Sequence, residues 1–263
     1  MKVTLLGTGT SVGVPVIGCP CRVCTSADPR NRRLRQSLWI RNGSASILID
    51  ASADFRQQAL RYGIPRVDAI LLTHPHADHI LGLDDTRVYA YWQRQRIPVY
   101  GSAHTLEGVR RTFWYAFAQV PEGGGRPRLD LRLLDGPVQV GGLTAEPVEA
   151  DHGSMPVTGF RIGGFAYLTD CKRLPPQAVR ALQGLDTLVI NALRHTPPHP
   201  THMTVGEALE AIGTIAPRRA LLIHMGHELD HEELAASLPA GVEPAYDGLE
   251  MDFETEDTQG DVI

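Results

Sequence analysis

The sequence predicts an α/β protein, and two observations predict it. First, apolar runs of strand length alternate with helical patterns along the 263-residue chain. Second, three of those runs share one layout: LLTH at 71–74, YLTD at 167–170 and LLIH at 221–224. Each is a continuous apolar run, as expected of a strand buried on both faces. Each also delivers a His or an Asp at its carboxyl end. Strands from two sheets can therefore aim these ends at one rim, where an open metal site would sit.

The first strand is expected over residues 2–6, followed by the loop Gly7-Thr8-Gly9-Thr10. That loop lacks the G-x-G-x-x-G spacing of dinucleotide binding, so its small residues are read as letting backbone approach the metal centre. CPCRVC then sets out Cys19, Cys21 and Cys24, three-quarters of a tetrahedral zinc site. The basic run 30–35 is either a solvated face or a greeting for an anionic substrate. Strands over 37–41 and 44–49 form a hairpin across Asn42-Gly43 and end on Asp50. A helix over 53–61 is closed by Gly63. After the strand at 69–72, helices are expected at 82–96 and 105–118, with a strand at 97–100 between them. The glycine-rich stretch 121–125 is a surface loop or a lid. Strands at 131–134, 138–140 and 143–148 lead to His152, and a strand at 165–168 leads to Asp170. A helix at 175–182 and a strand at 187–190 precede a Pro- and His-rich loop. Thr204 caps a helix over 205–215, with Glu207 placed to complete a capping box. The last strand expected, 220–223, ends on His224.

Composition narrows the function classes. Apolar and charged fractions of 43% and 21% are those of a globular protein. A net charge of −5 argues against a large phosphate-tracking surface. No apolar stretch approaches the roughly 18 residues that cross a bilayer. The start, MKVTLLGTGTSVGVPVIG, reads as strand and loop rather than signal peptide. Three of the four cysteines fall within six residues. That spacing fits metal ligation in a reducing cytoplasm, the expected location, better than a disulfide scaffold.

The chemistry concentrates in THPHADH at 73–79. His74 and His76 can converge on one ion, while Asp78 and His79 address a second. Imidazole and carboxylate together suit Zn²⁺, Mn²⁺ or Fe. His152 would complete the first ion, His224 the second, and Asp170 would bridge them. Two ions about 3.5–4 Å apart can clamp a phosphate and hold a bridging hydroxide as nucleophile. A leaving alkoxide still needs a proton. His202, in HPTHMT before the helix at 204, is the candidate acid, with His195 and His199 in reserve. Asp78 is counted with His202 among the catalytic residues.

The HxHxDH stretch resembles the signature of the metallo-β-lactamase superfamily. The whole chain is similar to the PhnP-type family, the phosphoribosyl 1,2-cyclic phosphate phosphodiesterases. The similarity runs through GTGTSVGVPVIGCPCRVC, THPHADH, DHGSMPVTGF, TD, LLIHMGH and YDGLEM. It implies a four-layer αββα sandwich as a single domain over 1–263. It also implies two divalent active-site ions, zinc or manganese, and hydrolysis of a small cyclic phosphodiester such as 5-phosphoribosyl 1,2-cyclic phosphate. The family's structural zinc would fall on Cys19, Cys21, Cys24 and His227, and its catalytic histidine on His202. Pro75 and Ala77 replace aromatic and Met residues of some members without touching a ligand. The expected partner is a small phosphodiester, with no membrane and no nucleic acid; a homodimer is allowed. Three other readings compete. A nuclease resembling the tRNA 3′-processing enzymes is disfavoured by the pI near 6.1. A protein resembling coenzyme-PQQ accessory protein B would carry a similar cysteine cluster. A metal-dependent binding module would have no use for an acid beside a complete ligand set.

Overall fold

A computed structural model describes residues 1–118 and 125–254. Most of the stretch expected as a loop or lid, 121–124, lies outside the described residues. The strands are β1 (Lys2–Gly7), β2 (Ser37–Asn42), β3 (Ala45–Ile49), β4 (Ala69–Leu71), β5 (Ile97–Gly101), β6 (Leu129–Leu133) and β7 (Val138–Val140). They continue as β8 (Leu143–His152), β9 (Met155–Ile162), β10 (Phe165–Leu168), β11 (Thr187–Asn191), β12 (Arg219–Ile223), β13 (Val242–Pro244) and β14 (Glu250–Asp252). The α-helices are α1 (Phe55–Tyr62), α2 (Ala77–Ile80), α3 (Arg87–Trp92), α4 (Ala103–Thr112), α5 (Trp114–Phe117), α6 (Pro176–Ala181), α7 (Val205–Ile215) and α8 (His231–Ser237).

Two mixed sheets form, in the orders β14-β1-β2-β3-β4-β5-β6 and β13-β12-β11-β10-β9-β8-β7. In the first, β3, β4, β5 and β6 run parallel; in the second, β10, β11, β12 and β13 do. The parallel strands carry apolar residues on both faces because both faces are covered. Leu5, Ile40, Ile49 and Leu71 meet Phe160, Tyr167, Val189 and Leu221 between the sheets. On the outer face of the first sheet, Leu48, Ile70 and Leu72 pack with Phe55 of α1, Ile80 of α2 and Val109 of α4. On the outer face of the second, Leu188, Ile190 and Leu222 pack with Ala178 of α6 and Ala208 and Ile212 of α7. The layering is αββα. No helix among the described residues is long and apolar enough to cross a membrane.

Local signals place most elements. Gly63 closes α1 in the left-handed region at φ 62°, which costs a residue without Cβ nothing. Thr204 and Glu207 form the expected capping box on α7. Three expectations are corrected. The helix expected over 82–96 is a 3₁₀ turn at Leu81–Thr86 followed by a short α3. The helix expected over 105–118 breaks at Phe113, whose buried ring packs into the outer core beside Val109. A strand was missed at β9, which carries Pro156 and Gly159. A Cβ on Gly159 would lie 2.9 Å from the Leu168 side chain, so the closeness of β10 excludes a side chain there.

Three of the four arginines of the basic run have structural partners. Arg30 pairs with Asp28, Arg35 pairs with Asp54, and Arg33 is 1% exposed. The Arg33 guanidinium donates to the carbonyls of Gly226 and Leu229, fixing the loop that follows β12. The glycines of the GTGT loop make room for the 33–35 segment rather than for the metal centre, since a Cβ on Gly9 would lie 2.7 Å from the Arg33 carbonyl. Met225 N–H donates to the Thr8 carbonyl, which ties the loop to the segment after His224.

Candidate metal centre

Strand ends from both sheets converge on one rim. His74 follows β4, His152 ends β8, Asp170 follows β10 and His224 follows β12. His76 caps α2, which presents Asp78 and His79 in its only turn. Asp170 and His224 adopt φ 55° and 54°, a left-handed conformation that non-glycine residues leave unless the surroundings hold them. Turning the chain left at the strand end aims the side chain across the rim.

The eleven residues expected to bind metal fall into three groups, with one ligand atom per residue within 4.8 Å of the others in its group. These are His74, His76 and His152; Asp78, His79, Asp170 and His224; and Cys19, Cys21, Cys24 and His227. Asp170 lies close to members of both of the first two groups. Its Oδ2 lies 3.7 Å from His74 Nε2 and 3.2 Å from His224 Nε2, and its Oδ1 is 3.5 Å from His79 Nε2. His152 and Asp170 also group with His202, whose Nε2 is 3.2 Å from Asp170 Oδ2. His199 stands behind His202, with the two Nδ1 atoms 3.0 Å apart. His195 is exposed and belongs to none of these groups.

The rings are aimed by bonds to their far nitrogens. His152 Nδ1 donates to the Thr201 carbonyl at 2.9 Å. Thr73 Oγ1 donates to Asp50 Oδ2 and can then accept from His74 Nδ1 at 3.0 Å. His79 Nδ1 lies 2.6 Å from Asp50 Oδ2. Each bond turns Nε2 toward the centre, the arrangement of metal-ligating imidazoles. Burial holds His74 and His152 below the ordinary imidazole value, so both are neutral donors. His79 goes the other way. Burial alone would lower it, but the Asp170 and Asp50 carboxylates outweigh burial and lift it well above the ordinary value.

The donor set fits divalent cations. His79 Nε2 and both ring nitrogens of His224 are buried with no hydrogen-bond partner among the described residues. His224 Nε2 is close to Asp170, but not in hydrogen-bond geometry. Lone pairs and carboxylates crowded together in this way call for positive charge between them. The cysteine group fits zinc by distance. Sγ atoms of Cys19, Cys21 and Cys24 lie 3.3, 3.5 and 3.6 Å from His227 Nδ1. The edge of a zinc tetrahedron with ordinary S and N bond lengths is about 3.5 Å. The Cys24 backbone N–H helps draw the Cys21 thiol down to about 6, whereas burial pushes the Cys24 thiol up to about 11. Mild chelation is expected to remove the active-site ions with activity while about one zinc per chain stays behind, because a closed thiolate site releases metal slowly. Cys19→Ser should lower that residual count in elemental analysis; an unchanged count would rule the cysteine group out as its holder.

Asp50 was missed as a functional residue. The sequence held the signal: Ile47-Leu48-Ile49-Asp50 is a fourth apolar strand delivering a carboxylate at its end, with φ 60° like its counterparts. Its carboxylate accepts from Thr73 N–H and Thr73 Oγ1–H and holds His79. Asp50→Asn is expected to weaken the affinity of the His79 ion by about 10–100-fold. Competition with a chromogenic chelator measures it, and unchanged affinity would mean that His79 is oriented without Asp50.

Comparison with known proteins bears on this centre. The profile described as the Beta-lactamase superfamily domain matches residues 45–225. The chain belongs to that superfamily. A crystal structure of a new diphosphatase from the PhnP family is 40% identical and covers 96% of this chain and 98% of its own, with a TM-score of 0.89. The chain is therefore a PhnP-type member of the superfamily and a metal-binding hydrolase of the metallo-β-lactamase fold. The zinc-bound PqqB structure from Methylobacterium extorquens shares the fold at 20% identity and a TM-score of 0.78, covering 96% of this chain and 100% of that one. The octanoyltransferase of Porphyromonas gingivalis is 43% identical over 254 residues, 95% of this chain. The chain spans about half of that protein's length, 51%.

Proposed function

We propose that the chain is a dinuclear-metal phosphodiesterase that hydrolyses a small phosphodiester, with His202 as general acid. The observation that carries this reading is the position of His202. It stands 3.2 Å from Asp170, a carboxylate within 3.7 Å of His74 in one ligand group and of His79 and His224 in the other, yet it is a member of neither group. His74, His76 and His152 would hold one ion, and Asp78, His79 and His224 the other, with Asp170 between them. Ions held there supply a nucleophile at neutral pH and neutralise phosphoryl charge. The chain's own part is to set the ligands and to give a proton to the leaving oxygen. Ring Nε2 of His202 faces the centre, while its Nδ1 lies 3.0 Å from Thr201 Oγ1, which steadies the ring. Burial holds His199 below its ordinary value, and His202, Arg194 and Lys172 nearby add to that.

A second substrate class is favoured by the 40% identical relative, whose crystal structure is that of a diphosphatase. A diphosphate linkage presents the same phosphoryl centre with a phosphate in place of an alkoxide as leaving group. The test is a turnover panel on protein reconstituted with Zn²⁺ or Mn²⁺. It comprises 5-phosphoribosyl 1,2-cyclic phosphate, a 2′,3′-cyclic nucleotide, a nucleoside diphosphate derivative, bis(p-nitrophenyl) phosphate and a precursor tRNA. Preference for the cyclic ribosyl ester supports the first reading, and preference for the diphosphate supports the second. Cleavage of the tRNA alone would overturn both in favour of a nuclease.

A further inference from the structure

We propose that Asn191 is a positioning residue that holds Asp170 and His202 in register. The inference rests on the reading of Asp170 as the carboxylate shared by two ions. It also gives a role to Cys171, a fully buried thiol that belongs to neither ligand group.

β11 is otherwise built from Thr187, Leu188, Val189 and Ile190, and an amide at its buried end is out of keeping with them. Asn191 is 0% exposed, and its Nδ2 finds no partner among the described residues. A buried amide NH₂ without a partner is a cost that leucine or valine would avoid. The amide is therefore kept for its oxygen. Asn191 Oδ1 accepts both the backbone N–H of Cys171, at 2.8 Å, and its S–H, at 3.0 Å.

Those two bonds fall where the sheet stops helping. The pairing of β10 with β11 ends at Leu168↔Ile190, so residues 169–171 have left the ladder. Asp170 sits among them at φ 55°, which a non-glycine residue holds only when its neighbours fix it. Asn191 supplies the acceptor that the ladder no longer offers to the very next residue. The same residue reaches the other catalytic group, because the Cys171 carbonyl accepts from Met203 N–H at 3.2 Å, directly after His202. One side-chain oxygen thus anchors a short path from the shared carboxylate to the candidate acid, whose facing atoms are 3.2 Å apart.

The experiment compares Asn191→Leu, Asn191→Asp, Cys171→Ala and Cys171→Ser with the parent chain. It measures Mn²⁺ uptake into metal-free protein by spin-coupled electron paramagnetic resonance, kcat and KM on bis(p-nitrophenyl) phosphate, and metal-free melting. Asn191→Leu should weaken uptake of the coupled pair by roughly tenfold or more and lower kcat more than it raises KM. Asn191→Asp retains an acceptor and should restore the coupled signal. Cys171→Ala, which loses the S–H bond alone, should fall between the parent and Asn191→Leu, and Cys171→Ser should recover toward the parent. A coupled pair of parental affinity in Asn191→Leu overturns the proposal. If that variant does not fold, an unchanged pair in Cys171→Ala overturns it instead. A loss confined to melting temperature overturns it as well, since that is a structural role. A parent chain that takes up fewer than two ions overturns the shared-carboxylate reading first, and this inference with it.

Discussion

Replacing Asp170 by Asn is expected to reduce turnover to background and to loosen both active-site ions. The carboxylate is 2% exposed and lies within 3.7 Å of His74 in one ligand group and of His79 and His224 in the other. Burial alone would raise its pKa, but His224 and His79 beside it outweigh burial and keep it well below the usual carboxylate range. It therefore stays charged at any working pH. A fixed negative charge offsets the repulsion between two divalent ions held close, and a neutral amide of the same shape does not. Asn is the better first substitution because it tolerates the left-handed region. Ala at φ 55° would add about 1–2 kcal/mol of backbone strain and confuse the result. Elemental analysis and calorimetric titration of metal-free protein decide the matter. Both ions at full occupancy in Asp170→Asn would show that some other group holds them together.

The residues that the fold brings to one rim were legible because parallel strands covered on both faces write themselves as unbroken apolar runs. A His or Asp at the end of such a run then stands out, as at His74, Asp170 and His224. Asp50 obeys the same rule and was passed over because β3 is also half of a hairpin. Asn42-Gly43 drew the reading toward the β2 side, and the parallel pairing with β4 has no local mark. His152 was legible as a residue but not as part of its strand. β8 runs on to His152 and turns at Gly153-Ser154 into β9, where Pro156 and Gly159 lower the local strand signal. Short edge strands such as β13 and β14 have three residues each and are fixed by long-range pairing, β14 with β1 across nearly the whole chain. Nothing local announces them.

The cysteine group and the centre are joined by a feature that spacing shows and geometry explains. His224 and His227 lie three residues apart, one in each ligand set. Between them, Met225 bonds the Thr8 carbonyl and Gly226 N–H donates to the Leu193 carbonyl. Arg33, buried beneath, holds the carbonyls of Gly226 and Leu229. Arg33, in a basic run expected to be a solvated face or a substrate contact, therefore anchors the segment that ties one ligand set to the other. The charge pattern of that run hid this, because burial of a single arginine leaves no periodic trace.

His202→Ala is expected to lower turnover of a substrate with a poor alkoxide leaving group by about 10²–10⁴, the usual worth of positioned proton transfer. Metal content should stay at the parental value, because on the proposed reading the two ions are held by His74, His76, His152, Asp78, His79, Asp170 and His224 without this ring. The loss should shrink for bis(p-nitrophenyl) phosphate, whose leaving group departs without a proton. It should shrink likewise for a diphosphate, where phosphate leaves. The pH profile gives an independent check. Burial holds the His202 ring below the ordinary imidazole value, although the Asp170 carboxylate pulls it upward. An acid must be protonated to act, so the active form is present below this lowered pKa. The rate on an alkoxide ester should therefore fall as pH rises through a value under 6.5, and the nitrophenyl ester should not share that limb. Equal losses on both leaving groups would make His202 a phosphate-binding residue. No loss on either would move the acid role to His199, whose ring lies against it.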